Sequence, residues 1–364
     1  MGLFSKKTGD KSYLGVDIGG SSVKLVELLD NKGRAQLLTY GYLERSTKSA
    51  TENLLDKPTE MADSIKKIAE KSKVQTKDAI TALPASSVFT TILYLTDINK
   101  KDLTSIKKVT EAVQAEAEKV LPLPLDEMVL DWKVLNGGGS STDPKAGVQV
   151  LLTAAAKTLV KKYIDIFKKA GFNLLSLETE SFGMARALVG KDKSTVIIVD
   201  IGAANTDITI VDNGIPYMER TVDIGGYQIT KILAETMNIS IDQAEQFKRD
   251  LANYSSQVLN QGQLLPESIE KSLVPIINEI KYLLDFFGKQ PGNEAKRIDR
   301  LILSGGTAKI FNLTEYFTKM FNIRTFLGDP WARVLSPEDL KPALDAVGSR
   351  LAVCIGLAMR DIEK

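Results

Sequence analysis

Short apolar runs separated by small and polar residues open the chain and predict β-strands. The runs cover Tyr13–Ile18, Val23–Leu29 and Ala35–Tyr40, and a glycine pair follows the first of them. Short connections rich in Gly, Asn and Asp are typical of hairpins, so we expect the first strands to pair antiparallel. The spacing of apolar residues in Pro58–Ser72 then predicts a helix.

The same opening recurs in the second half of the chain. Leu14–Val26 and Ile197–Val211 each contain an apolar run that ends in Asp-Ile-Gly, followed by a small polar turn and a second apolar run. A third predicted strand, Ile215–Val222, and a predicted helix, Gly226–Met237, follow the second copy. A repeated β-β-β-α unit indicates an α/β protein with two similar lobes.

Two segments interrupt the duplicated pattern. The first, from about Pro84 to about Ala170, mixes strand and helix patterns and has a Gly/Ser tract at Asn136–Gly147. We expect a small α+β insertion in which this tract is an exposed loop, and in which Asp102–Val120 is a long helix. The second insertion, Ile239–Gly288, is helical by its pattern.

Composition narrows the possible chemistry. The 47 Lys+Arg and 46 Asp+Glu leave a net charge of +1, so no overall field favours nucleic acid. Histidine is absent and Cys354 is the single cysteine, which excludes Ser-His-Asp and Cys-His mechanisms, His-ligated zinc and an internal disulfide. No uninterrupted apolar run approaches the ~18 residues of a membrane span and no secretory signal is recognisable, so we expect a cytoplasmic protein.

The first Asp-Ile-Gly turn is suited to a phosphate group. A turn of small residues lets backbone N–H groups come close to phosphate oxygens, because no bulky side chain intervenes. Asp17, at the end of the strand, is a candidate for holding Mg²⁺ through water, and Lys24 could reach a β- or γ-phosphate. The small residues of this turn are Gly19, Gly20, Ser21 and Ser22.

The second turn supplies a matching half. Asp200 is its candidate metal residue, and a downstream Ser-Gly-Gly adds another small loop. Either turn alone is an ordinary hairpin, but two copies at equivalent places in a duplicated unit favour a nucleotide gripped between two lobes. The small residues of this half are Gly202, Ala203, Ala204, Asn205, Gly305 and Gly306.

The arrangement resembles the actin/Hsp70/hexokinase-like ATPase superfamily over almost the whole chain. In that family's terms Gly15–Lys24 and Ile198–Asp207 are the two phosphate loops, and Leu301–Lys309 is the adenosine loop. Leu177–Leu188 and Leu344–Ile362 are the two hinge-crossing helices. The resemblance therefore implies ATP or ADP with Mg²⁺ as the bound group.

The resemblance also implies roles for single residues. Glu245 and Lys248 would approach the ribose and adenine, although a solvated ion pair of residues three apart is the alternative. Glu178 and Glu180 are the carboxylates of the first hinge segment, and either could orient a water. Glu180 is the catalytic candidate, together with the metal-binding Asp17 and Asp200. Further nucleotide contacts would come from Gly225, Gly226 and Thr307.

The first insertion and its flanks are similar to the PilM family of type IV pilus assembly proteins. The most specific stretches are Ala82–Pro84, Glu116–Pro124 and Ala244-Glu245. In that family the insertion is a subdomain called 1C, or SHS2, which carries protein contacts. The subdomains implied are 1A (12–83, 171–190 and 345–364), 1C (84–170), 2A (191–238 and 289–344) and 2B (239–288).

This second resemblance implies a partner. The short N-terminal tail of PilN, an inner-membrane protein, would dock in a nucleotide-sensitive groove between 1C and the first lobe, and would recruit the chain to the inner face of the membrane. Apolar candidates for contacts on the insertion are Val88, Phe89, Ile92 and Tyr94. Self-association is also possible, and membrane contact would come only through the partner.

Two other functions use the same fold. An FtsA-like division protein carries an amphipathic membrane helix after the closing helix, and we expect none here because this chain stops at Lys364. A sugar kinase needs a carboxylate base and a polar sugar pocket, and the first insertion has no Asn-Asp motif for one. The second turn reads Gly-Ala-Ala-Asn-Thr where strongly hydrolysing relatives have more glycines, so we expect tight ATP binding with slow turnover.

Overall fold

A computed structural model describes residues 11–20, 22–44, 54–98, 101–135, 147–251, 264–290 and 292–362. The strands are β1 Ser12–Ile18, β2 Ser22–Asn31, β3 Arg34–Glu44, β4 Asp78–Leu83, β5 Val88–Leu95, β6 Met128–Val134, β7 Val148–Ala156, β8 Asn173–Thr179, β9 Val196–Ile201, β10 Thr206–Asp212, β11 Ile215–Val222, β12 Arg300–Ser304 and β13 Thr325–Leu327. The helices are α1 Pro58–Lys71, α2 Ile106–Ala117, α3 Lys157–Ala170, α4 Glu180–Leu188, α5 Gly226–Met237, α6 Ile241–Asp250, α7 Glu267–Gly288, α8 Leu313–Phe321 and α9 Lys341–Met359.

Two five-stranded sheets have the same strand order. The first runs β3-β2-β1-β4-β8 and the second runs β11-β10-β9-β12-β13. In each, the first three strands along the chain pair antiparallel and the last two join in parallel. Strands β1 and β9 are buried on both faces, as their almost uninterrupted apolar residues require. The predicted duplication of the fold is thereby confirmed.

Helices α4 and α9 lie between the two sheets and close the core. One buried cluster combines Ile80 of β4, Ile198 of β9 and Leu357 of α9, so residues of both lobes share a single apolar interior. The two helices cross at glycines, because a Cβ on Gly356 would overlap the carbonyl oxygen of Gly183. This shared interior holds the two lobes against each other.

Helix α9 also has the length and composition of a membrane-crossing segment. Together with the turn before it, Glu338–Met359 is the one described stretch that passes this test, and 67% of its 18-residue apolar window is buried inside the protein. Its apolar residues, among them Leu351, Cys354 and Ile355, pack into the core of the first lobe. The burial is that of a core helix.

The first insertion forms a third sheet with the strand order β5-β7-β6. Helix α2 packs on it through Val109, Val113 and Ala117. The long helix expected over Asp102–Val120 is shorter than predicted, because Asp102–Thr104 forms a 3₁₀ turn and Ser105 caps α2 by accepting a hydrogen bond from the Lys108 N–H at 3.5 Å. The predicted loop Asn136–Gly147 lies outside the described residues apart from its last residue.

Helix α3, at the end of the predicted insertion, belongs to the first lobe by its packing. Its buried residues Tyr163, Ile166 and Phe167 join the same cluster as Leu14 and Val16 of β1. The 1C boundary at residue 170 stays a prediction, since burial alone does not divide the chain into subdomains.

The first predicted hinge helix begins later than expected. Leu177, Glu178 and Thr179 are the end of β8, and α4 starts only at Glu180. The Thr179 hydroxyl caps α4 by accepting a hydrogen bond from the Phe182 N–H at 3.4 Å. The closing helix is likewise shifted and spans the α9 range rather than Leu344–Ile362.

Candidate functional site

A cavity of about 310 Å³ lies between the two lobes. Its wall combines the ends of β1 and β9, the starts of β2 and α5, helix α6, the loop after β12 and one side of α9. The volume is at the small end of the range typical of ligand pockets. Predicted residues on its wall are Asp17, Ser22, Lys24, Asp200, Gly202, Ala203, Gly226, Glu245, Lys248, Gly305, Gly306 and Thr307.

The two Asp-Ile-Gly turns are built alike. The Gly19 N–H donates to the Ser22 carbonyl at 3.0 Å, and the Gly202 N–H donates to the Asn205 carbonyl, also at 3.0 Å. The strand register then places a charged residue opposite each aspartate. Lys24 of β2 faces Asp17, and Asp207 of β10 faces Asp200.

Asp17 and Lys24 form a largely buried ion pair. The Lys24 Nζ lies 2.7 Å from the Asp17 Oδ2, and the two side chains are 16% and 6% exposed. Burial by itself would lower the pKa of Lys24, but the neighbouring Asp17 carboxylate raises it above its ordinary value. The ammonium group therefore stays charged at the cavity wall and can contact an anion.

The carboxylates of the second turn are less well compensated. Burial raises the pKa of Asp200 to about 6, although Lys24 acts in the opposite direction. Burial also raises the pKa of Asp207 to about 7, and a 2.6 Å hydrogen bond from the Thr221 hydroxyl offsets only part of this. Both groups are thus poised to gain or lose a proton near neutral pH.

Glu180, the predicted catalytic carboxylate, lies beside the cavity and is not on its wall. It is the first residue of α4 and accepts a hydrogen bond from the Ala85 N–H at 3.3 Å. Burial and the nearby Asp207 and Asp17 raise its pKa well above the ordinary value. Glu180 therefore lies near Asp17 but does not itself line the cavity.

Glu245 and Lys248 are paired on α6 but are not a solvated pair. Their side chains are 19% and 10% exposed and lie 2.7 Å apart. The Lys248 Nζ also donates to the Gly226 carbonyl and to the Thr230 hydroxyl, each at 2.8 Å. These bonds fix both side chains against the start of α5 on the cavity wall.

Glycines bring bare backbone to the cavity. Gly305 has a φ of 88°, and a Cβ there would overlap the Ile201 carbonyl. A Cβ on Gly226 would lie 2.7 Å from the Thr307 Oγ1. The Gly226 N–H donates to the Gly202 carbonyl at 2.8 Å, which fixes the second turn to α5.

Several predicted residues are next to the cavity without lining it. A Cβ on Gly225 would lie 2.7 Å from the Asn205 backbone nitrogen, so these two support the second turn from behind. Gly19 approaches the Lys24 Nζ, since a Cβ there would lie 3.5 Å from it. Gly20 is described but does not line the cavity. Ser21 lies outside the described residues.

Sequence reasoning missed part of the wall. Tyr227, Arg249 and Lys309 directly follow predicted residues or end a predicted loop, so their position in the chain is a signal that could have found them. Glu44 and Arg350 are brought together from 306 residues apart, which no local pattern reveals. The missed residues are Glu44, Tyr227, Arg249, Ser304, Lys309, Ile310, Ser349, Arg350, Ala352 and Val353.

The site fits a phosphate-bearing ligand better than a metal held by protein alone. Within the described ranges, no group of three or more His, Cys, Asp or Glu side chains is arranged to hold a metal ion. Mg²⁺ ordinarily keeps several waters and takes one or two carboxylates together with phosphate oxygens. Asp17 and Asp200 both line the cavity and are the two carboxylates that could hold such an ion there.

Two sheets of identical order around one polar cavity define an actin-like ATPase fold, and solved structures agree. The PilM–PilN type IV pilus biogenesis complex contains a chain with a TM-score of 0.80 to this one at 24% identity, over 97% of this chain and 99% of that chain. MreB5 of Spiroplasma citri bound to AMPPNP has a TM-score of 0.50 at 14% identity, over 95% and 94% of the two chains.

The sequence identifies the particular family within this class. The family model described as type IV pilus assembly protein PilM matches residues 15–362, and the chain belongs to this family. The cell division protein FtsA of Bacillus subtilis (strain 168) is 26% identical over 150 residues, which are 38% of this chain and 34% of that protein. The expected actin-like fold and PilM relationship are both confirmed.

Proposed function

We propose that this chain is an ATP-binding, actin-like protein of type IV pilus assembly that receives the tail of an inner-membrane partner. The observation that supports this best is the pair of equivalent turns, one from each lobe, on a single cavity. Asp17 and Lys24 of the first lobe and Asp200 of the second all line this cavity. Membership of the PilM family supplies the biological setting.

The nucleotide would lie across both lobes. Lys24 would contact its phosphates, and Asp17 and Asp200 would hold Mg²⁺ through water, where the metal would neutralise phosphate charge. The adenosine would lie against Gly305 and the Glu245–Lys248 pair. The crystal structure of MreB5 with AMPPNP, a protein of the same fold, is in keeping with this use of the cleft.

We infer slow turnover from the position of Glu180. Its side chain does not line the cavity and instead accepts a hydrogen bond from the Ala85 N–H at 3.3 Å, so no carboxylate of the described hinge segment is placed on the wall to activate water. Ala203 and Ala204 in the second turn also restrict the backbone more than glycines would. The chain would therefore hold ATP as a regulatory ligand more than consume it.

The proposed partner is a PilN-like N-terminal peptide. A solved PilM–PilN complex contains a chain of the same fold as this one. The peptide would dock between the three-stranded sheet and the first lobe, and it would bring this chain from the cytoplasm to the inner face of the membrane. Of the expected contacts on β5, Val88 packs partly against the first-lobe core and Ile92 against the second. Strand β5 therefore touches both lobes, and a peptide beside it would sense their relative position.

Nucleotide binding can be tested with a fluorescent ATP analogue and Mg²⁺. In Gly226→Val even the Cβ would lie 2.7 Å from the Thr307 Oγ1, so the side chain would crowd the cavity wall. The affinity for the ATP analogue should therefore fall by about 10-fold or more. Gly288→Ala is the matched control, because a Cβ there meets nothing within 4 Å. Equal affinities for the wild type and Gly226→Val would refute the assignment of the cavity.

Partner binding can be tested by fluorescence anisotropy of a labelled PilN-like N-terminal peptide. We expect binding whose affinity changes with Mg-ATP, and ATP affinity should change by the same factor when peptide is added. A scrambled peptide is the control. If the chain instead captures the division-ring polymer and ignores the peptide, the FtsA-like alternative is correct.

A further inference from the structure

An ionic chain runs around the mouth of the cavity and joins the lobes. The Glu44 Oε1, at the end of β3, lies 2.6 Å from the Arg350 Nη2 of α9, and both elements belong to the first lobe. The Glu44 Oε2 lies 3.6 Å from the Arg249 Nη2 of α6, in the second lobe. All three side chains line the cavity.

Neighbouring contacts hold each member of this chain in place. The Arg350 guanidinium lies over the Tyr42 ring, 5.0 Å from its centroid. The Arg249 Nε donates to the Glu245 Oε1 at 3.2 Å, and Glu245 is itself bonded to Lys248. The ionic chain thus continues from the mouth to the residues proposed to meet the adenosine.

Among the described residues of the ionic chain, Glu44 is the only acidic one that contacts side chains of both lobes. Burial would raise its pKa, but Arg350 and Arg249 together lower it, so Glu44 is ionised throughout the neutral range. A carboxylate has two oxygens and here each takes a different arginine. Removing its charge would release Arg249 without changing the shape of either lobe.

We propose that Glu44 is a positioning residue for the nucleotide, which holds Arg249 of the second lobe beside Arg350 of the first and so latches the lobes closed over the cavity. This inference rests on the proposed nucleotide site. A nucleotide beneath the latch leaves only after the Glu44–Arg249 contact opens. The latch therefore acts on the rate at which nucleotide departs, because it is made in the closed state and lost in the open one.

The effect is modest and depends on salt. Arg249 is 57% exposed and Glu44 36%, so the contact is a partly solvated ion pair. Such pairs change an equilibrium by about threefold, and salt at about 1 M screens them almost completely. The Glu44–Arg350 pair within the first lobe is screened by salt as well, so the effect specific to the latch is the one that Arg249→Gln shares with Glu44→Gln.

The experiment measures dissociation of a fluorescent ATP analogue after a chase with unlabelled ATP, for the wild type, Glu44→Gln, Arg249→Gln and the double variant. At low salt we expect dissociation about threefold faster in each single variant, and a double variant no faster than the singles. At about 1 M salt the wild type should reach the rate of Glu44→Gln. Glu60→Gln is the control, since its contact with Lys57 is a similar exposed pair that does not line the cavity.

Equal rates for the wild type and Glu44→Gln at low salt, or effects that multiply in the double variant, would overturn the latch. A second measurement distinguishes a failure of the latch from a failure of the proposed nucleotide site. Hydrogen exchange of α6 in the nucleotide-free protein should be faster in Glu44→Gln and unchanged in Glu60→Gln, whether or not ATP binds. If the wild type binds no nucleotide but α6 exchange responds, the nucleotide assignment fails and the latch stands.

Discussion

The two hairpins that face each other across the cavity share a backbone and differ in charge. Each closes its turn with the same 3.0 Å hydrogen bond, and each has an aspartate one residue before the end of its first strand. Opposite that aspartate, however, the first hairpin has Lys24 and the second has Asp207. The duplicated units therefore share the main chain of the turn and carry opposite charges at the register position that faces the aspartate.

This difference adds to the effect of burial on the carboxylates of the site. In the first hairpin an ammonium group compensates the buried Asp17. In the second, two carboxylates lie side by side, and burial raises the pKa of Asp200 to about 6 and that of Asp207 to about 7. A lone cation in one hairpin suits phosphate, whereas a pair of acids in the other suits a bound cation or proton.

Removing Lys24 should have the largest effect, because it makes the first hairpin acidic like the second. Lys24→Met leaves Asp17 buried without a partner, and we expect the free energy of unfolding to fall by about 3 kcal/mol. ATP-analogue affinity should fall about 10- to 100-fold, as for the loss of a charged hydrogen bond. Urea unfolding and fluorescence titration measure the two effects.

The double variant Asp17→Asn/Lys24→Met separates the effect on stability from the effect on nucleotide affinity. It removes both charges, so most of the stability should return while nucleotide affinity stays low. A double variant as unstable as Lys24→Met would show that packing around the Lys24 stem, and not charge, sustains the first hairpin.

Asp207→Asn should change stability by a similar amount in the opposite direction and with a distinct pH dependence, measured in EDTA to exclude metal. The folded protein holds the Asp207 proton up to about pH 7, while the unfolded chain releases it near its ordinary pKa of 3.8. Wild-type stability therefore falls as pH rises between these values, and the loss is complete above the folded pKa. The variant should be about 2–4 kcal/mol more stable than the wild type at pH 8 and equal to it near pH 3, by urea unfolding.

The isosteric Thr221→Val tests the same account from the other side. It removes the hydroxyl that donates to Asp207 and lowers the pKa of that carboxyl group. The variant should therefore lose more stability than the wild type as the pH rises. A pH-independent difference between Asp207→Asn and the wild type would contradict the raised pKa.

The smallest expected effect comes from adding a methyl group to the first glycine of each turn. A Cβ on Gly202 would lie 3.0 Å from the Asn205 carbonyl oxygen, whereas one on Gly19 meets nothing closer than 3.5 Å. Gly202→Ala should therefore lower the free energy of unfolding by about 1 kcal/mol, and Gly19→Ala should lower it by less than about 0.5 kcal/mol. Calorimetry of the two variants side by side gives the comparison, and equal losses would mean that the turns are sterically equivalent.

Much of this arrangement follows from local sequence. The repeated Asp-Ile-Gly turns predicted two equivalent hairpins, and the helix over Gly226–Met237 has the predicted bounds. The α2 boundary was wrong because the capping of Ser105 decides where the helix begins. The Leu177–Leu188 helix was wrong because pairing with β4 keeps its first residues extended.

The amino-acid sequence by itself determined the duplication, the two acidic turns and the absence of histidine chemistry, since each is a matter of residue type and spacing. Only the tertiary structure decided that Glu180 lies off the cavity wall, that Lys248 is buried, and that Glu44 meets Arg249 and Arg350. The Glu44–Arg249 contact depends on how the two lobes approach each other, and the other outcomes depend on how distant elements of one lobe pack together. That approach is set by side-chain packing around α4 and α9, and local patterns contain no record of it.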